Sequence, residues 1–481
     1  VSAAFHTVQA ILAIPLGAAA ALAVLPDYRI SARLNVLASL ATFVAACALF
    51  GLKGFAAPYL IIDDLNVVFV VLNTFVAFTT SVFSASYIAH ELEIGRVTPG
   101  NLRFYHAMYQ FLAFAMNLAL TADNIGLMWA ALEIATLTTV AMVGIYQTRA
   151  AIEAAWKYFI LGSVGIALAL FGTILVFMAA RPVMGEGFDG MIWTLLMRHA
   201  HAFDPALLDL AFVFLLLGYG TKVGLVPLHA WLPDAHAEGP TPISAVLSGL
   251  LLNVALYCVL RFKLLIDANG RAIAPGPLLA TLGLFSLVFA AFMLYRRRDI
   301  KRLFAFSSIE HMGIIVFAFG MGGPLANFAG LLHMTMHSLT KSAIFFTVGH
   351  IAQVKRTQTI ADIRGLTVSQ PWLGWTLVAG VFAIAGLPPG GVFLSEFLVV
   401  SSTFARSPAL ALILVAGLLV AFGALAMRAQ GMAFGEGKTG EPRSTASTAP
   451  ILTHLSLVLL AGIYPPPPLV AWFEHVAAML R

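Results

Sequence analysis

Polar positions along this chain come in short clusters, separated by apolar runs of about twenty residues, the length a helix needs to cross the hydrocarbon of a bilayer. The runs lie near 7–25, 34–52, 65–88, 105–121, 124–146, 155–179, 207–228, 241–262, 276–295, 302–321, 325–350, 372–402, 408–428 and 450–467. The pattern therefore predicts an all-α polytopic membrane protein with about fourteen spans. The longest polar stretches, 181–206 and 435–450, read as connecting loops, and a short amphipathic tail, LVAWFEHVAAMLR, follows YPPPP. The first run lacks a basic flank before it and a small-residue cleavage site after it, so it reads as a spanning helix and not a signal peptide.

Composition agrees: 60% of the residues are hydrophobic and 10% charged, too few to give a soluble chain of 481 residues a polar surface. The net charge of +5 is too small and scattered to point to nucleic acid. Cys47 and Cys258 lie in apolar runs with no CxxC, which argues against an iron–sulfur cluster, a structural zinc or a disulfide framework. Sorting Lys and Arg by loop puts 17 on one set of loops and 8 on the other, with RRRDIKR (296–302) as the strongest anchor. By the positive-inside rule that set faces the cytoplasm, and an even span count then turns both termini outward. Asp299 and the basic residues around it read as a solvated loop face. The segment GEGKTG (435–440) falls short of a phosphate-binding loop, because Met432 stands where that motif needs glycine and no strand precedes it.

Against this background, ionisable residues inside spans are informative, since each costs roughly 2.5 to 3.5 kcal/mol to insert. Glu133 and Lys222 sit near mid-membrane in the fifth and seventh runs, where a buried acid and base can neutralise one another or exchange protons. In GLLHMTMHSLTKSAIFF, His333, His337 and Lys341 recur every four residues on one helical stripe, a spacing that suits a proton relay with intervening water. A metal site is the weaker reading, because HxxxH lacks the glutamate of HExxH and no third ligand is evident. SSIEHMG adds His311 on the tenth span; Glu310 is expected to point off the other side of that helix. Glu396 follows a Gly/Pro break at 386–391. Lys157, His229, His236 and Asn253 form a second tier with Glu310, and Lys157 also reads as a plain surface pair with Glu153.

Two spans are interrupted. Pro227, with Pro233, Pro240 and Pro242 in PDAHAEGPTP, stops the seventh run, and Pro388 and Pro389 stop the twelfth. Interrupted helices at corresponding places in two halves point to an inverted-repeat transporter. The breaks lie five spans apart, an odd number, so helices 4–8 and 9–13 would run in opposite senses. The expected divisions are residues 1–104 (three helices), 105–262 and 263–428 (the two five-helix repeats), and 429–481 (polar loop, last helix and tail).

The stretches KVGLVPLHAWLPDAHAEGPTPISAVLSGLLLNVALY, RRRDIKRLFAFSSIEHMGII and GLLHMTMHSLTKSAIFF resemble the antiporter-like membrane subunits of respiratory complex I. The resemblance is strongest to component F of group 4 membrane-bound nickel–iron hydrogenases of the hydrogenase-4 and formate hydrogenlyase type. It implies fourteen helices with two inverted repeats, a Glu133–Lys222 pair, a central polar axis through His311, His333 and His337, and Glu396 as its terminal residue. It also implies that iron–sulfur clusters, a nickel–iron centre or a flavin belong to partner subunits and not to this chain. The partners it implies are other antiporter-like subunits and a peripheral redox module, in the cytoplasmic membrane of a bacterium or archaeon. Where many complex I relatives carry lysine, this chain has Asn253, which cannot titrate. The alternative reading is a subunit of a multi-subunit sodium/proton antiporter.

Overall fold

The computed structural model describes residues 2–52, 54–57, 59–437 and 447–480; most of the polar loop 435–450, including the end of GEGKTG, lies outside them. The first third is built from α1 (Ser2–Val24), α2 (Tyr28–Ala48), α3 (Asp64–Glu93), α4 (Pro99–Thr121), α5 (Ile125–Val143) and α6 (Arg149–Met184). A short hairpin, β1 (Phe55–Ala57) against β2 (Leu60–Ile62), is the one sheet among the described residues. Polar residues at the loop ends start the helices. Asp27, Thr98, Asn124 and Thr148 each accept from a backbone N–H of the first turn, and Asp63 forms a reciprocal capping box with Asn66.

After a loop helix, α7 (Trp193–His199), the seventh span is split into α8 (Pro205–Val223) and α9 (Trp231–Glu238). The eighth comprises α10 (Thr241–Val246), a π-helical turn at Leu247–Leu251, and α11 (Leu252–Asn269). Then come α12 (Pro275–Leu294), α13 (Ile300–Met321) and α14 (Pro324–Lys355). The loop helix α15 (Leu366–Ser369) precedes a second split span, α16 (Pro371–Ile384) and α17 (Gly391–Arg406). The chain closes with α18 (Pro408–Ala433), α19 (Ala449–Ile463) and α20 (Pro467–Met479), the last two bent by 78°.

Each of the fourteen predicted runs is mostly helical, the eighth and twelfth in more than one piece. Ten helices among the described residues are long and apolar enough to cross a membrane by length and composition alone, or eleven if α19 and α20 form one span. α4 and α14 miss that standard because polar side chains interrupt them, and α16 and α17 because the span is broken. The segment Thr241–Asn269 and α13 are buried nearly all round and form the middle of the bundle; α1, α2 and α18 leave most of their apolar surface outward. A helix that is apolar on every side must face either other helices or lipid, and both cases occur here.

The proline expectations need correction. Pro233 sits in the first turn of α9, Pro240 caps α10 and Pro242 opens it, so these three start helices instead of breaking one. The true interruptions are the six or seven residues around Pro227 and around Pro388–Pro389.

Candidate functional site

Both breaks leave backbone groups that hydrocarbon could not satisfy. At the first, Gly224 ends α8 in the left-handed conformation, the Val226 N–H donates to Ser286 Oγ of α12 (2.9 Å), and Trp231 Nε1 donates to Thr221 O (2.8 Å). The Trp231 ring also stacks on Tyr158 of α6, 4.2 Å between centroids, so the end of the broken helix is clamped to its neighbour.

Lys222 lies one turn before this break and is fully buried. Its Nζ stands 5.1 Å from the Tyr158 ring centroid and packs on Gly162, where an added Cβ would come within 2.6 Å. Thr221 fits against Gly165 in the same seam; small residues on α6 are what let α8 approach so closely. Glu133, half-buried on α5, lies in Coulombic range of Lys222, yet no direct ion pair joins them. Glu133 Oε2 and Lys222 Nζ both lack a hydrogen-bond partner among the described residues. The expected pair is therefore open and not mutually satisfied.

The central cluster is denser than the sequence implies. His311 Nδ1 and His333 Nε2 are 2.9 Å apart, and His333 Nδ1 is 2.9 Å from Ser395 Oγ on α17. Ser395 Oγ also reaches Val392 O at 2.7 Å. The His337 ring lies 5.5 Å from that of His311, and Lys341 Nζ donates to Phe304 O at 3.1 Å. Glu310 does not point away from the cluster as expected: its Oε2 is 3.3 Å from His311 Nε2, and Lys341 is the cation nearest it in charge terms. The side chain is long enough to bend back along α13, which a helical-wheel argument overlooks. Glu396 joins from α17, with one oxygen and one nitrogen each of His311 and His333 all within 4.8 Å of one another.

Gly386 makes room for Glu396. It has φ +67°, and a Cβ there would collide with the Glu396 carboxylate. Gly386→Ala is accordingly expected to lower stability by about 1 to 3 kcal/mol, the cost of a left-handed non-glycine residue, and to displace the carboxylate. A thermal unfolding midpoint equal to wild type would show that neither constraint operates.

Of the second tier, His236 is fully buried, stacked on Phe345 at 4.9 Å, and within electrostatic reach of both Lys301 and Lys341. His229 sits at the first break against Phe289, outside the cluster. Lys157 belongs to an exposed network with Glu153 (2.8 Å) and Asp234 (3.2 Å), which Arg302 extends to Glu238. Asn253 Nδ2 donates to Gly249 O (3.0 Å) and Ser338 Oγ (2.6 Å), tying the π-helical turn to α14.

The basic loop is only partly a solvated face. Lys301 is 1% exposed, and its Nζ donates to Ala237 O and Gly239 O, capping the end of α9. Asp299 caps α13 through the Arg302 N–H, and burial raises its pKa above the ordinary aspartate value against the lowering effect of that hydrogen bond. Sequence reading also missed the serines: Ser395 completes the histidine chain, and Ser248 meets Ser308 at 2.7 Å beside it. A lone serine in an apolar run carries no charge signal, and only tertiary contact reveals it.

Residues 122–422 match the family model described as NADH:quinone oxidoreductase/Mrp antiporter, transmembrane. The hydrogenase-4 component F homolog of Methylacidiphilum infernorum is 61% identical over 455 residues, covering 95% of this chain and 96% of that one. Among solved structures, a chain of the membrane-bound sulfane sulfur reductase, an archaeal respiratory membrane complex, superposes with TM-score 0.86 at 22% identity, covering 98% of this chain and 97% of its own. A chain of the Mrp complex from Dietzia sp. DQ12-45-1b gives TM-score 0.85 at 18% identity, with the same coverage.

Proposed function

Given that this chain belongs to the NADH:quinone oxidoreductase/Mrp antiporter membrane family, we propose that it translocates protons as an antiporter-like subunit of a redox-driven complex of hydrogenase-4 or complex I type. The observation that supports the reading is a buried run of polar neighbours on α13, α14 and α17: Glu310 3.3 Å from His311, His311 and His333 2.9 Å apart, His333 2.9 Å from Ser395, and Glu396 within 4.8 Å of both histidines.

Its donors can be arranged in two ways. If Ser395 donates to Val392 O, its oxygen accepts from His333 Nδ1–H. A neutral His333 then accepts at Nε2 from His311 Nδ1–H, and His311 Nε2 faces Glu310 as an acceptor. A proton passed from Glu310 to His311 Nε2 would move the His311 Nδ1 hydrogen to His333 Nε2 and the His333 Nδ1 hydrogen to Ser395 Oγ, whose own hydrogen must first swing from Val392 O to an ionised Glu396 carboxylate, the base that keeps it. Every donor now points back toward Glu310, so the chain must reorient before a second proton can follow the same way. That reset is where a distant event can gate transfer.

Lys222, unpartnered and facing Glu133, supplies the distant event. A charge arriving near Glu133 alters the field on Lys222, and moving one charge against 100 mV takes about 2.3 kcal/mol. The chain itself carries no cofactor motif, so redox centres in partner subunits supply that energy. The setting is the cytoplasmic membrane, with RRRDIKR inward and both termini outward; the two five-helix repeats at 105–262 and 263–428 would each contribute one break.

Likeness to the Mrp chain fits a second reading without outweighing the first: an exchanger in which sodium shares the axis. The two separate in inverted vesicles energised by substrate oxidation. Acidification that persists in sodium-free medium supports the first, and a sodium requirement supports the second. Asn253→Lys is expected to change the proton-transfer rate, because it would place a titratable group where Asn253 holds Ser338. An unchanged rate in the same vesicles would put that position off the path.

A further inference from the structure

The face that carries RRRDIKR opens into a cavity of about 1190 Å³ lined by Arg296, Arg298, Arg364 and Arg428, with Tyr295 and Glu436 at its wall. None of the four guanidinium groups has a carboxylate within ion-pair distance among the described residues. Arg428 is fixed by donating to Tyr295 O, and Arg364 by donating to Ala361 O. Among the described residues, its lining thus sets four positive charges against one negative. They are arginines, whose planar fork suits phosphate oxygens better than an ammonium does.

Phe434 is shared with a second hollow of about 290 Å³, an apolar groove between α16 and α18 lined by Val378, Val381, Phe382, Ala385, Phe422 and Ala426. The groove descends along the two spanning helices to Ala385, the residue before Gly386 at the second break. A charged basin at the membrane surface and an apolar groove leading from it into the hydrocarbon are the complements of a phosphate headgroup and an acyl chain.

We propose that this paired cavity is a binding site for one anionic phospholipid, its phosphate held among Arg296, Arg298, Arg364 and Arg428 and one acyl chain laid along the α16–α18 groove. The site is separate from the histidine chain, and its occupancy by lipid does not depend on which ion that chain conducts. It touches the same helix break, so its occupant also packs the outer side of the turn that supports Glu396.

The test uses the intact complex in detergent, with native mass spectrometry and thermal unfolding as readouts and three probes at equal concentration: dioleoyl phosphatidylglycerol, dioleoyl phosphatidylcholine and inorganic phosphate. Phosphatidylglycerol alone is expected to be retained and to raise the unfolding midpoint. Each arginine contributes about fivefold, so the double variant Arg298→Gln/Arg364→Gln should bind it about 25-fold more weakly. Ala426→Phe, which fills the groove and leaves the arginines in place, should weaken phosphatidylglycerol and not inorganic phosphate. Equal retention of both lipids would overturn the proposal. So would phosphate matching phosphatidylglycerol (an ion site without a lipid), wild-type affinity in both variants, or a neighbouring subunit filling the cavity in the complex.

Discussion

Replacing Lys222 with alanine is expected to abolish redox-driven proton translocation while the complex still assembles. Both halves of that expectation follow from the same contacts. Among the described residues Lys222 Nζ has no hydrogen-bond partner and no direct ion pair, so its removal orphans none of them. Loss of the aliphatic stem against Gly162 and Tyr158 leaves a cavity, but an uncompensated buried charge disappears with it, and the two effects oppose each other. The ammonium that lies in that seam between α6 and the first break, within Coulombic range of Glu133, is then gone. Acidification of inverted vesicles, measured beside a native gel that reports assembly, checks it; wild-type acidification would count against any role for Lys222 in coupling.

The second large effect is expected at Glu310. Glutamine has nearly the same shape, so packing within α13 should hold, but an amide cannot give up a proton. Its N–H would instead donate to His311 Nε2, fixing the chain in one polarity. Positioned acid–base groups typically contribute at least a hundredfold to a proton-transfer step, and Glu310→Gln is expected to slow translocation by roughly that factor. Glu310→Asp, which keeps the carboxylate one methylene shorter, should recover part of the rate. A Glu310→Gln variant that translocates at the wild-type rate would remove Glu310 from the path, leaving His311 to be supplied from elsewhere, with Lys341 and His337 nearest.

This placement of Glu310 shows where sequence reading stops. The fourteen apolar runs, the two interruptions and the rare charges within them were legible, because lipid imposes a length and a polarity that few other constraints imitate. His333 and His337 shared a stripe by helical period alone. Which residues from other helices met that stripe depended on crossing angles and side-chain bends, and these have no periodic signature. Glu310 therefore looked peripheral, and Ser395 carried no signal. The Lys301 ammonium, in a run of basic residues, looked solvated, yet it reaches back to cap α9. The prolines of PDAHAEGPTP misled for a related reason: a proline early in a helix is as compatible with starting it as with breaking one. The open Glu133–Lys222 pair was also beyond reach, since chain position gives proximity but not contact.

The claim that the buried chain conducts is tested most directly by the number of protons translocated per electron in the intact complex carrying His333→Leu. Leucine fills much of the imidazole's volume and cuts the chain between His311 and Ser395 at its one shared member. Electron transfer that continues with a lower proton-to-electron ratio than wild type is the predicted result. An unchanged ratio at a normal electron-transfer rate would contradict it.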